Sequence, residues 1–250
     1  MEVNPVPDSA LFIYTETPLR IPGERLGAYR LVSRKENLPN IPSSFLTRCL
    51  SVPEKTISDA EIFLLPVRSL IGGIAYAITR RILDKLIQME FFFSELEETK
   101  EMEDENEVLV CNNLSLATDS LLVEDILLKP RKSEQFSKLC ETVSKTALPQ
   151  KEPFSFFKET IRQNTILVSD PFFEYLIIRS LILVPRLTPN RKIEYEEFVP
   201  QNTLFVSSLD SSVLDEQLKM ELQNSKLVAF GASQNDGFGL CHLTASRRNE

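Results

Sequence analysis

The sequence predicts an α+β fold built from one or two β-α-β-β-α-β units with long insertions. Three observations carry this reading. Short apolar strand-like runs and amphipathic helical runs mix without regular β-α alternation. No glycine-rich dinucleotide spacing follows a strand, which argues against a doubly wound sheet. Long stretches punctuated by proline and glycine separate the regular segments, and functional residues concentrate in such insertions.

The first strand is ALFIYTE (10–16), whose apolar, aromatic and β-branched residues suit a central position. Pro18, Pro22, Gly23, Gly27, Pro39 and Pro42 then break the pattern, so 18–42 reads as a long excursion. Ser43 and Ser44 are placed to cap a short helix through 50. EIFLLPVR (61–68) is a second strand, and Pro66 marks an edge, an end or a bulge. After Gly72-Gly73, the spacing of Ala75, Ile78, Ile82 and Leu86 predicts an amphipathic helix over 75–93. Residues 108–130 give mixed signals, and 134–145 a weakly amphipathic helix. TILVS (165–169) predicts a strand, and Asp170-Pro171 starts a helix toward Ser180. LILVPRL (181–187), EYEEFV (194–199) and NTLFVSSL (202–209) read as extended, the second with partial alternation. A helix is expected over 212–223, a strand at KLVAF (226–230), a glycine loop at 231–239 and a last strand at LCHLTA (240–245).

At 250 residues, 42% hydrophobic and 26% charged, the chain has the composition of a folded protein that needs no staples. Its net charge of −8 argues against a free, diffusely basic nucleic-acid binder. The average hides an asymmetry: residues 95–107 hold eight acids and one lysine, so the remainder carries only −1. A local basic groove on that remainder is compatible with the composition, and the block itself reads as a solvated loop. Cys49, Cys111, Cys140 and Cys241 form no CxxC pair and match no zinc spacing, so buried free thiols are expected. The start, MEVNPVPDSA, has no secretory pattern, and no run reaches the length of a membrane span. A cytoplasmic protein without membrane contact is the expectation, and the glycosylation triplet Asn113-Leu114-Ser115 carries no weight.

No residue set commands a catalytic or metal assignment. The chain has no nucleophile elbow, no Walker loop and no HExxH, and His242 is its only histidine. Asp59, Asp170 and Glu174 are ordinary acids in a chain with 36 of them. FGASQNDGFGL (230–240) is the most unusual local feature. Its Gly231, Gly237 and Gly239 suit a tight turn, or a loop whose amides hold a phosphate. Isolated arginines stand at loop and helix edges: Arg20, Arg25, Arg30, Arg34, Arg48, Arg68, Arg80 and Arg186. A guanidinium donates two parallel hydrogen bonds and suits phosphate, provided several converge in one groove.

Three blocks together resemble a known family. They are LFIYTETPLR (11–20) with LPNIPSSFLTR (38–48), then ISDAEIFLLPVRSLIGGIAYAITRRIL (57–83), then LVSDPFFEYLIIRSLILVPRL (167–187) with EYEEFVPQNTLF (194–205) and LVAFGASQNDGFGL (227–240). In this order they are similar to the RAMP-superfamily backbone subunit of Cmr-type (type III-B) CRISPR effector complexes, here in a divergent form. The resemblance implies a ferredoxin-like, RNA-recognition-like RAMP core over 1–250, with long insertions and a thumb hairpin. It places a functional loop at 18–42 and a variable insertion or thumb region at 94–160, which includes the acidic segment. It also implies copies stacked along a guide RNA. The implied partners are CRISPR guide RNA, complementary target RNA, other effector subunits and adjacent copies of the chain.

The sequence departs from the family where chemistry is concentrated. The family's GxxDLPIQRE reads GAYRLVSRKE (27–36), with Arg30 in place of the cutting aspartate. An arginine cannot ligate a metal or accept a proton, but it can bind phosphate. IPGSSLKG becomes IPSSFLTR (41–48), with Thr47 at the RNA-contacting lysine and Arg48 beside it. Ile71 stands where another lysine is common, and Phe238 where the last glycines flank an arginine. Phe238 could stack on a base or pack against its own core. The expected RNA-binding residues are Arg20, Arg30, Ser44, Arg48, Arg68, Arg80, Arg186, Gly231, Gly237, Phe238 and Gly239, with no catalytic or metal-binding residue and no cofactor. The function so implied is a non-cleaving backbone subunit that binds guide RNA and organises the guide–target duplex. One alternative is an active, magnesium-dependent endoribonuclease with Glu24 or Glu36 as a relocated acid. The other is mainly a protein scaffold.

Overall fold

A computed structural model of the chain describes residues 8–70, 73–88, 106–111 and 120–247. Ile71, the acidic block up to residue 105, the triplet 113–115 and the end of the helix expected over 75–93 lie outside the described residues. The chain divides into two compact units, one comprising the chain up to Phe63 together with Arg179–Arg247, the other Leu64–Ile178.

The first unit begins with β1 (Ser9–Thr15), buried at all seven positions, as its unbroken apolar character dictates. The excursion that follows is ordered rather than irregular. It forms β2 (Pro22–Leu26), β3 (Tyr29–Val32), the two-residue β4 (Arg34–Lys35) and β5 (Leu38–Ile41). Helix α1 (Ser43–Leu50) comes next, buried through Leu46, Thr47 and Leu50. The expected serine cap is corrected here. Pro42 holds the N-cap position without a side-chain bond, and Asp59 accepts from the Ser43 amide at 2.8 Å. Strand β6 (Ala60–Ser69) starts in the first unit and ends in the second, with Pro66 inside the strand opposite Tyr76. Proline has no amide to donate, so the ladder lacks that one bond at Pro66.

In the second unit the predicted helix over 75–93 is also corrected. Gly73–Thr79 is strand β7, and only Arg80–Gln88 is helical (α2). A fully buried run of β-branched and aromatic residues cannot be told from a buried helix by spacing alone. Next come β8 (Glu107–Cys111), β9 (Leu121–Val123), β10 (Ile126–Ser133), α3 (Glu134–Thr146), α4 (Ser155–Asn164), β11 (Thr165–Val168) and α5 (Asp170–Ser180). The strand order is β6-β7-β11-β8-β10-β9, and Ser69 of β6 pairs Val123 of β9, so the ring closes on itself. A closed ring leaves no exposed edge. Ser133 caps α3 by accepting from the Phe136 amide at 3.2 Å.

The first unit resumes with β12 (Ile182–Leu187), β13 (Ile193–Phe198), β14 (Leu204–Leu209), α6 (Glu216–Gln223), β15 (Lys226–Ala229) and β16 (Leu240–Arg247). The helix expected from 212 begins later, because Asp215 caps it by accepting from the Leu218 amide at 2.7 Å. β1 lies between β14 and β16, antiparallel to both. With β6 beyond β14, the order β16-β1-β14-β6 and the two helical crossovers give the β-α-β-β-α-β pattern read from the sequence. A separate four-stranded sheet, β12-β13-β3-β2, is built from the excursion and the hairpin before β14. All four cysteines are free thiols, Cys49 half-buried and the other three buried. No helix among the described residues is long and apolar enough to cross a membrane.

Candidate functional site

The small sheet of the first unit has two unlike faces, and its register says why. β13 alternates, so Glu194, Glu196 and Phe198 share one face, with Ile193 and Tyr195 on the other. Arg186 of β12 lies opposite Glu194, Arg30 of β3 opposite Glu196, and Arg25 of β2 opposite Arg30. Directly paired residues point to one face, so three arginines meet two buried glutamates. Glu194 accepts from Arg25 at 2.6 Å and from Arg30 at 2.5 Å. Glu196 pairs with Arg186 at 3.3 Å, and Asp236 takes the same arginine at 2.9 Å. Glu197, from the end of β13, accepts from Arg34 at 2.7 Å and from the Val32 amide at 3.0 Å. A buried carboxylate keeps its charge only where such partners replace water. On the opposite face Tyr29 and Tyr195 stack at 5.3 Å beside exposed Leu26, Leu187 and Ile193.

The glycine loop is brought to this charged face by backbone contacts. Gly231 has φ +93°, and a Cβ there would meet the Arg20 carbonyl oxygen at 2.6 Å. The next amide, Ala232, donates to that same oxygen at 2.8 Å. Gly239 has φ +80°, and a Cβ would meet the Phe230 carbonyl oxygen at 2.0 Å. Both glycines are therefore demanded by close approach as well as by φ. The ring of Phe238 lies 4.5 Å from that of Phe198, with the Arg186 guanidinium 5.9 Å from its centroid.

Arg20 itself is 6% exposed, and its Nε is enclosed without a hydrogen-bond partner. Burial pushes its guanidinium below the usual value. Glu196 opposes that shift, while Arg30 and Arg186 reinforce it.

Seven of the eleven expected residues thus share one neighbourhood: Arg20, Arg30, Arg186, Gly231, Gly237, Phe238 and Gly239. Ser44 and Arg48 are exposed four residues apart on α1, whose Phe45 packs against Phe230 at 6.0 Å. Thr47 points inward, so of the two neighbours Arg48 is the one facing solvent. Arg68 and Arg80 belong to the second unit, where each holds a local partner, Glu124 at 2.6 Å and Asp84 at 2.6 Å. Glu24 is exposed within β2, and Glu36 is exposed in the turn after β4. His242 lies between the Ser225 hydroxyl at 3.1 Å and Glu16 at 2.6 Å. Among the described residues no group of three or more acids, histidines or cysteines is arranged to hold a metal.

Sequence reasoning missed the carboxylates Glu194, Glu196, Glu197 and Asp236. The available signal was the alternation in EYEEF, which places acids at every second position of a predicted strand. The face those acids take depends on the partner strand, which periodicity does not name.

No family model matches the chain, and no curated protein matches it by sequence. Solved structures do. Oligomeric Cmr4 from Pyrococcus furiosus matches over 98% of this chain and 100% of its own, with TM-score 0.69 and 18% identity. Another crystal structure of Cmr4 matches 96% of this chain and 98% of its own, with TM-score 0.67 and 18% identity. A chain of the type III-B Cmr-beta complex bound to cognate target RNA gives the same figures. The identity is low, but the coverage is nearly complete in both directions, and the chain has the fold of Cmr4.

Proposed function

We propose that the chain is a non-cleaving backbone subunit of a type III-B CRISPR effector complex. In this reading it binds guide RNA, holds the guide–target duplex, and assembles with adjacent copies and other effector subunits in the cytoplasm as part of antiviral defence. The observation that carries the reading is the convergence of Arg20, Arg30 and Arg186 on one face beside the glycine loop. The likeness to Cmr4 chains, one of them from a complex bound to target RNA, supports the same assembly. The absence of cutting is inferred from Arg30. The resemblance expects an aspartate there, and this chain instead has a guanidinium paired with Glu194. A paired guanidinium offers no lone pair to a metal and takes no proton from an attacking hydroxyl.

The test is co-expression with the proteins encoded beside it, followed by sequencing of retained RNA and incubation with matching target RNA and magnesium. Retained RNA of defined length with an intact target is expected. Regularly spaced cuts that disappear on Glu24→Ala or Glu36→Ala would overturn the non-cleaving assignment, and assembly without RNA would leave only a scaffold.

A further inference from the structure

Two of the four thiols meet in the second unit, away from the charged face. Cys111 ends β8 and Cys140 lies in the middle of α3, and they are 1% and 2% exposed. The Cys111 thiol donates to the Thr165 carbonyl oxygen at 3.8 Å. The Cys140 thiol in turn donates to the Cys111 sulfur, and the Thr165 side chain reaches Cys140. The remaining thiols are joined differently. Cys241 feels Cys49 through charge alone, and burial raises both above the ordinary thiol value.

The surroundings make the two partners unequal. The hydrogen bond from Cys140 is the largest influence on Cys111, and with the Thr165 carbonyl and the positive charge of Arg162 it holds that thiol below its ordinary value despite burial. Burial pushes the Cys140 thiol well up, so it keeps its proton. A nucleophilic sulfur therefore faces a protonated one. Next to them is a cavity of about 190 Å³, lined by Cys140, Thr165 and apolar side chains that include Leu64, Ile78, Phe136 and Ile161. A small uncharged molecule enters such a space at far lower cost than an ion.

We infer that Cys111 and Cys140 form a modification site for a small uncharged peroxide, which converts the two thiols into a reversible disulfide between β8 and α3. The inference is independent of the RNA reading. The Cys111 thiolate attacks one peroxide oxygen, the O–O bond breaks, and the departing hydroxide takes a proton and leaves as water. Cys111 is then a sulfenic acid. The Cys140 sulfur attacks the Cys111 sulfur, the S–O bond breaks, and the hydroxyl leaves with the Cys140 proton as a second water. Two thiols are oxidised and one hydrogen peroxide is reduced to two waters. A dithiol such as dithiothreitol reverses the bond by exchange.

The experiment treats the folded full chain with hydrogen peroxide, blocks the free thiols in denaturant, and maps the peptides by mass spectrometry. The expected result is a peptide pair joined through Cys111 and Cys140 and separated by dithiothreitol, with Cys49 and Cys241 blocked. The joined form should unfold about 5 °C above the reduced form. Cys49→Ser should leave the linkage unchanged. In Cys140→Ser the sulfenic-acid reagent dimedone should label Cys111, and in Cys111→Ser it should leave Cys140 unlabelled.

If Cys111 and Cys140 are both blocked after peroxide, or are joined only when peroxide meets the unfolded chain, the site is overturned. Dimedone on Cys140 in Cys111→Ser, with none on Cys111 in Cys140→Ser, would overturn the roles given to the two sulfurs. The map of the unmodified chain decides the site even where a serine variant does not fold.

Discussion

Strands β1 and β13 lie in the same unit and are both largely buried, but they are buried by different means. β1 places Leu11, Phe12 and Ile13 at 1% exposure or less between two neighbouring strands, and these buried side chains are hydrocarbon that needs no polar partner. β13 buries Glu194, Glu196 and Glu197 to 7–9% exposure, and each needs an arginine from another segment. The first kind of burial is non-directional and tolerant of detail. The second depends on several side chains arriving together, and it leaves charge arranged at a surface that a polyanion can read.

The comparison can be broken from its stronger side first. Phe12→Ala in β1 opens a cavity against Phe63, whose ring lies 6.0 Å away, and should cost about 3–5 kcal/mol in urea unfolding. That cost should not depend on salt. Glu194→Ala should cost less, about 1–2 kcal/mol, because the Arg25 and Arg30 side chains it abandons are 62% and 41% exposed and water can screen them. Its cost should shrink as salt rises, and a double-mutant cycle with Arg30→Gln should show coupling between the two positions. Equal salt dependence for both variants would erase the distinction between the strands.

Asp59→Asn sharpens the comparison at a smaller scale, at about 1 kcal/mol, because it weakens the acceptor for the first amide of α1. Burial tends to raise the Asp59 pKa. The Ser43 amide and hydroxyl and Lys35 outweigh it, so the carboxyl is held below its ordinary 3.8. A depressed folded value means that the stabilisation is present above the unfolded pKa and is lost as pH falls through the folded one. The gap between wild type and Asp59→Asn should therefore be open at neutral pH and close in acid below 3.8, and a gap that widens in acid would contradict the assignment. Lys145→Ala should have the smallest effect, a shift in thermal midpoint within measurement scatter, since Lys145 and its partner Glu141 on α3 have side chains 67% and 51% exposed.

Much of the fold was legible because its signals are local. The unbroken run 10–16 gave β1 and its central place, and the runs at 165, 182, 204 and 226 gave β11, β12, β14 and β15 within a residue or two. The errors also have a physical reason. IAYAI has apolar residues at both helical and strand spacings, so its conformation was settled by the partner strands β6 and β11. Helix α4 escaped notice because SFFKETIRQN buries only Thr160 and Ile161 inside it. At the site, the glycines announced a close approach, and the structure supplied what they approach.

The sequence by itself determined which residues could carry charge, turn the chain or fill a core, since those are properties of single side chains and short spacings. It also determined that Arg30 cannot act as a metal-binding acid. Only the tertiary structure decided which arginines are neutralised. The carboxylates opposite Arg25, Arg30 and Arg34 come from more than 160 residues away, and the strand register that unites them is set by contacts no local pattern encodes. Tertiary contacts also buried Arg20 beneath the glycine loop, where Glu196 favours its charge and Arg30 and Arg186 oppose it.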